Sequence, residues 1–277
     1  MFILKNEAGA ELKLIGNPLF DLSHIEGLTK YAGSLASSTS ASADGDTVTN
    51  AQALPRDIVM DLTIKDGVNV ENALDVIKGV VKPKKKLTLI WNDKTIEGIA
   101  SDMDAPRFSE KVVLQISLHC SNPWWKNVQN IITEIAESIP LAHFAMSFLI
   151  DDEGNVESKP LGEIDLNRTK SFNNDGDVAV GMDISIIAVG EVVNPSLRRN
   201  NGDFIGCNVT LQEGDEIKIT THKGNKTITL NGENAMSKIM RGSSFMQLDT
   251  GEQEFTLAAD SGASFCYFTV SYSKMYV

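Results

Sequence analysis

What the sequence has little of narrows its function more than what it has in plenty. Cysteine is nearly absent: three residues in 277, Cys120, Cys207 and Cys266, odd in number and far apart. Each sits in a strand-like apolar pattern, where a free thiol behaves as a small hydrophobe, so neither a disulfide framework nor a zinc site is expected. The four histidines, His24, His119, His143 and His222, fall in no H-E-x-x-H spacing and near no cysteine pair. Basic residues are outnumbered 25 to 37, leaving a formal charge of −12. Such a chain does not hold a phosphate backbone by counterion release, so no specific nucleic-acid binding is expected, although a negative wall suits a polyanion that only passes by.

Long apolar runs are missing as well, so no membrane insertion is expected. Met1-Phe2-Ile3-Leu4-Lys5 lacks the basic and apolar regions of a signal peptide, which predicts synthesis in the cytoplasm. No glycine-rich phosphate loop joins a strand to a helix, and no G-x-S-x-G elbow presents a serine. Asp151–Asn155 and Asn173–Asp177 are rich in oxygen ligands but lack the twelve-residue calcium register with its terminal glutamate, and read as turns. Carboxylates are plentiful, yet nothing marks two of them as a pair. The expectation is a non-enzymatic chain with no cofactor and no metal.

What is present is a soluble globular composition, 42% hydrophobic and 22% charged, long enough for two domains. The organising stretch is Phe108 to Trp125. Val112, Leu114, Ile116, Leu118 and Cys120 alternate with polar partners, which predicts a strand with one face in a core. Ser121-Asn122-Pro123 stops it, and Pro123, Trp124 and Trp125 read as the hinge into a second module. Before this seam, Ile58, Met60, Leu62 and Ile64 form a clean alternating strand. Asn69 is placed to cap a short helix whose stripe is Val70, Ala73, Leu74, Ile77 and Val81. Leu87, Leu89 and Trp91 share a face, Asn92-Asp93 turns, and Ile96 begins the return: a β-hairpin. With that apolar face, a hairpin that projects needs a neighbour, so Leu87, Leu89, Trp91 and Ile96 are the candidate inter-subunit contact. Lys84-Lys85-Lys86 reads as a solvated strand entrance rather than an anion site. Residues 33–53, rich in Ser, Ala and Thr, read as a long loop with either no role or an order imposed by a partner.

After the seam, Val128, Ile131, Ile132, Ile135 and Ile139 recur at helical spacing, which predicts an amphipathic connecting helix ended by Pro140. The division is then a domain at 1–125, a helical linker at 126–140 and a domain at 141–277. From Asp165 onward short strand signals alternate with turns such as Glu213-Gly214-Asp215, Lys223-Gly224-Asn225 and Asn231-Gly232, the pattern of a β-sandwich. The predicted fold class is mainly β: two β-sandwich domains, the first with a short helix and a protruding hairpin. This second module has no tryptophan, so a soluble carbohydrate-binding protein, the competing reading, would have to use Tyr267, Phe268 and Tyr272.

The order of these signals resembles the distal tail proteins of siphophages. In the first module the resemblance lies in Leu54-Pro55-Arg56-Asp57-Ile58 before a strand, then helix, hairpin and LHCSNPWW at 118–125. In the second it lies in SFNNDGDVAVG at 171–181, ISIIAVGEVVNPSL at 184–197, LQEGDEIKITTHKGNKTITLNGEN at 211–234 and FTVSYSKMYV at 268–277. The resemblance implies a structural protein of the virion tail tip or baseplate. In that family the N-terminal domains close a hexameric ring beneath the tail tube around a DNA channel, and the C-terminal domains are galectin-like or carbohydrate-module-like. The partners it implies are further copies of the chain, the tail tube protein, a tail-tip lysin or tape-associated protein and a receptor-binding protein, with a host saccharide or protein at the outer domain. A component of a contractile or prophage-derived particle is the neighbouring alternative.

Overall fold

A computed structural model describes residues 2–40, 44–105, 111–135, 138–140, 162–164 and 168–277. His143 and the oxygen-rich Asp151–Asn155 lie outside these residues. The chain divides into two compact units, the first made of residues up to Val128 together with Met275–Val277, the second of Gln129–Lys274.

The first unit contains β1 (Phe2–Asn6), β2 (Glu11–Lys13), β3 (Phe20–Glu26), β4 (Gly33–Thr39), β5 (Asp46–Ala53), β6 (Arg56–Ile64), α1 (Val70–Val80), β7 (Lys86–Trp91), β8 (Lys94–Asp104), β9 (Val113–Cys120) and β10 (Trp125–Asn127). Its main strands join in one antiparallel sheet in the order β2-β1-β7-β8-β9-β6-β3, with β10 pairing both β8 and Met275–Tyr276. The alternation read from the sequence is the cause of this layout. Ile58, Met60 and Leu62 of β6 and Ile116 and Leu118 of β9 are fully buried on one face, opposite Asp57, Asp61, Gln115 and His119. Helix α1 covers the same core with Ala73, Leu74 and Ile77, and the Asn69 side chain caps it by accepting from the Asn72 amide at 3.2 Å.

The hairpin β7–β8 differs from expectation. It does not protrude; it lies in the middle of the sheet, flanked by β1 and β9. Leu87, Leu89 and Ile96 are buried in the core of their own unit, and Trp91 is half-buried with its ring edge-on to Trp125 at 5.6 Å between centroids. The apolar face that asked for a neighbouring subunit is satisfied within the chain, in the core that Ala73, Leu74 and Ile77 of α1 also join, while β1 pairs the hairpin's edge through Phe2–Asn6. The segment that stands apart is 33–53. The loop expected there is a two-stranded ribbon, β4 against β5, hydrogen-bonded to no other strand among the described residues. Its threonines and Val48 favour extended backbone, while its mostly small side chains, with Leu35 and Val48 the two large apolar ones, give little to drive burial.

The hinge is also displaced. Pro123, Trp124 and Trp125 lie inside the first unit, whose border comes at Val128. Trp125 is buried, with its indole N–H donating to the Leu28 carbonyl at 3.0 Å. The connecting helix over 126–140 is replaced by strands. Trp125–Asn127 is β10, and β11 (Ile131–Ile135) pairs antiparallel with residues 268–272. The isoleucines that mimic a helical stripe are β-branched, favour extended backbone, and find a partner strand there.

The second unit continues with β12 (Ser138–Pro140), β13 (Gly162–Ile164), β14 (Thr169–Asn174), β15 (Asp183–Ala188), β16 (Val192–Val193), β17 (Ser196–Arg199), β18 (Phe204–Gly206), β19 (Thr210–Leu211), β20 (Glu216–His222), β21 (Asn225–Leu230), β22 (Glu233–Asn234), β23 (Gly251–Ala258) and β24 (Cys266–Tyr272). A six-stranded sheet, β11-β24-β15-β20-β21-β22, and a four-stranded one, β14-β23-β17-β18, are both antiparallel. Phe172 of the smaller sheet packs edge-on against Phe255 and against Tyr272 of the larger, and Tyr272 donates its hydroxyl to the Asn173 carbonyl. Asn231 and Gly232, both at positive φ, make the tight turn between β21 and β22. Asn174 is fully buried, donating to the carbonyls of Val178 and Leu248, so the oxygen-rich 173–177 run is a pinned turn.

All three cysteines are buried. Burial pushes the Cys120 thiol up to about 12, despite the opposing Arg56 charge, and Cys207 and Cys266 up to about 11. Below the ordinary thiol value both folded and unfolded chains keep these protons. Above it the unfolded chain alone releases them, so this contribution to stability is lost as pH rises from about 9 toward 11 or 12. A thiol titration at pH about 9.5 should therefore find no reactive cysteine in the folded protein and three after denaturation; prompt reaction without denaturant would contradict the packing. Leu89→Ala should cost about 2–5 kcal/mol in denaturant unfolding. A variant of undiminished stability that failed to assemble would return the β7–β8 hairpin to an interface.

Candidate assembly interface

The ribbon β4–β5 is the first unit's most unusual surface. Of its residues only Ala53 is even half-buried; the rest are exposed. Two strands alone are marginal in water, so the ribbon's order has to come from its base or from a partner. Its base is firmly held. The Leu54 amide donates to the Ala32 carbonyl at 2.9 Å, and the Tyr31 ring stacks on Trp124 at 5.7 Å. One strand before it, the Leu28 carbonyl accepts from both the Arg56 guanidinium and the Trp125 indole. Thus Trp124 and Trp125, read as a hinge, act as anchors for the ribbon.

Beyond that base the ribbon has the character of an open pairing edge. Between Ser34 and Gln52 there is no lysine, arginine or proline, the usual guards against edge-to-edge association, and the charges are Asp44 and Asp46. A bulge at Ala36/Ser37, where Thr49 Oγ1 donates to the Ala36 carbonyl at 3.0 Å, shifts the register. Leu35, paired with Ala51, and Val48, paired with Ser37, remain 68% and 52% exposed. Small side chains elsewhere allow another backbone to approach closely. The composition showed the small polar residues but not the pairing, because alternation of Ser, Thr and Ala carries almost no hydrophobic signal.

In the second unit, the residues a sugar platform would use are mostly inaccessible. Phe268 and Tyr272 are buried, while Tyr267 is 41% exposed beside Ile187 across β15–β24. Among the described residues no three His, Cys, Asp or Glu side chains converge on a point that could hold a metal ion.

Comparison with known proteins gives these arrangements a context. The family described as siphovirus-type tail component, C-terminal domain, matches residues 175–276. Comparison with curated proteins finds no match. Among solved structures, the SPP1 Dit protein, described as a paradigm of the hub adsorption apparatus in Gram-positive infecting phages, superposes with a TM-score of 0.71 at 12% identity, covering 100% of both chains. Chains of the phage P2 baseplate in its activated conformation with Ca and with Sr give TM-scores of 0.49 at 9% and 10% identity, covering 97–99% of the chains compared. The chain thus has the fold of the SPP1 Dit protein and, over residues 175–276, is similar to the C-terminal domain of siphovirus-type tail components.

Proposed function

We propose that the protein is a non-enzymatic structural hub of a phage tail tip or baseplate, ring-forming through its first unit. The single observation that carries this reading is the unpartnered ribbon. An ordered, unguarded pair of strands with exposed Leu35 and Val48 is a poor feature for a free monomer and a good one for a surface that is covered on assembly. Where the ribbon docks on a different patch of a second copy, the contact is head-to-tail, and head-to-tail contacts close into rings when the rotation permits. At roughly 3.4 Å per residue the seven-residue β4 reaches about 24 Å, far enough to overlap a neighbour.

The hexameric count, the DNA-conducting channel and the galectin-like character of the second unit belong to this proposal through the family resemblance. So do the assignment of tail tube, tail-tip and receptor-binding partners and the location in the virion. A formal charge of −12 agrees with a conduit that does not adsorb DNA.

Leu35→Glu combined with Val48→Glu should abolish ring assembly, read by light scattering after size exclusion and by negative-stain images, while circular dichroism and the unfolding midpoint stay within about 0.5 kcal/mol of the parent. Six-fold rings of normal yield from this variant would remove the ribbon from the interface. A parent chain that stayed monomeric even with tail tubes present would remove the hub reading altogether.

A further inference from the structure

Beside the base of the ribbon the first unit holds a pocket of about 140 Å³, lined by Lys30, Leu54, Pro55, Arg56, Asp57 and Pro123 among others. Arg56 is only 4% exposed. One terminal nitrogen donates to the Leu28 carbonyl, but Nε and Nη2 are buried and make no hydrogen bond to any described residue. A guanidinium does not shed its proton to escape that situation, so two adjacent donor nitrogens are left without an acceptor in a buried setting. Such orphaned donors are costly, and the Nε/Nη2 edge is the fork that receives both oxygens of a carboxylate or two of a phosphate.

The neighbouring charges favour an anion. Lys30 reaches Glu26 only at 3.9 Å and is largely exposed. The acidic wall, Asp57, is engaged at 2.7 Å by His119 Nδ1. Size restricts the ligand further. Pockets that take whole small molecules run to about 300–1,000 Å³, so this one admits a single oxyanion group and a few waters, not a nucleotide or an oligosaccharide.

We propose that the Arg56–Lys30 pocket is an oxyanion site that takes one carboxylate or phosphate group. The group has two possible sources: a free anion, or an acidic side chain of a second copy, for which Asp44 and Asp46 at the ribbon's end are suited as the ribbon's own charges. The site does not depend on the hub reading, since it exists in the isolated unit.

The test follows the side-chain Nε–H resonance of Arg56 in the full chain, assigned by its loss in Arg56→Lys. Inorganic phosphate should shift it saturably with a midpoint in the millimolar range, and Lys30→Met should raise that midpoint several-fold without changing the fold. If instead phosphate leaves the resonance in place but self-association moves it, and Asp44→Asn with Asp46→Asn removes that effect, the oxyanion comes from a second copy. A resonance indifferent to both phosphate and self-association overturns the proposal.

Discussion

The first unit turns on one carbonyl. Leu28 C=O accepts from Arg56, at the start of β6, and from Trp125, at the start of β10, using both lone-pair positions of a single backbone oxygen. Three segments distant in sequence are thereby fixed at one point. Burial makes each bond matter: Arg56 and Trp125 are almost fully enclosed, and a buried donor deprived of its acceptor costs about 1–3 kcal/mol. Burial also pulls the Arg56 guanidinium below the ordinary arginine range, although it remains charged. Gly27 sits next to this point at positive φ, with the Asp57 carbonyl where a β-carbon would lie, at 2.1 Å. Only glycine lets β3 turn away there so closely above β6.

The ribbon inherits its direction from that fixed point. Tyr31 and Trp124 clamp its base, and among the described residues no other strand pairs with the two beyond it. A rigid root with an unsupported blade is a different object from a floppy loop: much of its ordering entropy is met before any partner arrives, so association has less to overcome. That is the physical content of the assembly reading, and it is independent of the family likeness.

Much of the fold was legible wherever burial imposed a period. Ile58–Ile64 and Leu114–Cys120 alternate because each strand has one face in a core, and α1 announced itself through Asn69 and the Ala73–Leu74–Ile77 stripe. Legibility failed for two opposite reasons. At 131–135 a run of isoleucines fits helical spacing as well as a strand, and only the partner strand β24, more than 130 residues away, decides between them. At 33–53 there is no hydrophobic period to read, since neither face of the ribbon is buried in its own unit. The candidate interface failed by the same logic reversed: Leu87, Leu89 and Ile96 looked available because the core that encloses them is built from residues distant in sequence, among them Phe2 and Leu4 of β1, some eighty residues earlier. The Arg56 pocket left no sequence signal beyond an arginine in a strand, because orphaned donors are a property of packing.

The pairing of β10 with Met275–Tyr276 bears on how the polypeptide comes off the ribosome. Residues that finish the first unit's sheet are synthesised only after all of Gln129–Lys274 has emerged. Until then Trp125–Lys126 has an open flank, and Tyr276, whose ring the Lys94 ammonium covers at 4.1 Å, is not yet in place. Completion of the first unit's sheet therefore waits on translation of the second unit, an order that delays a fully closed first unit until its companion is made.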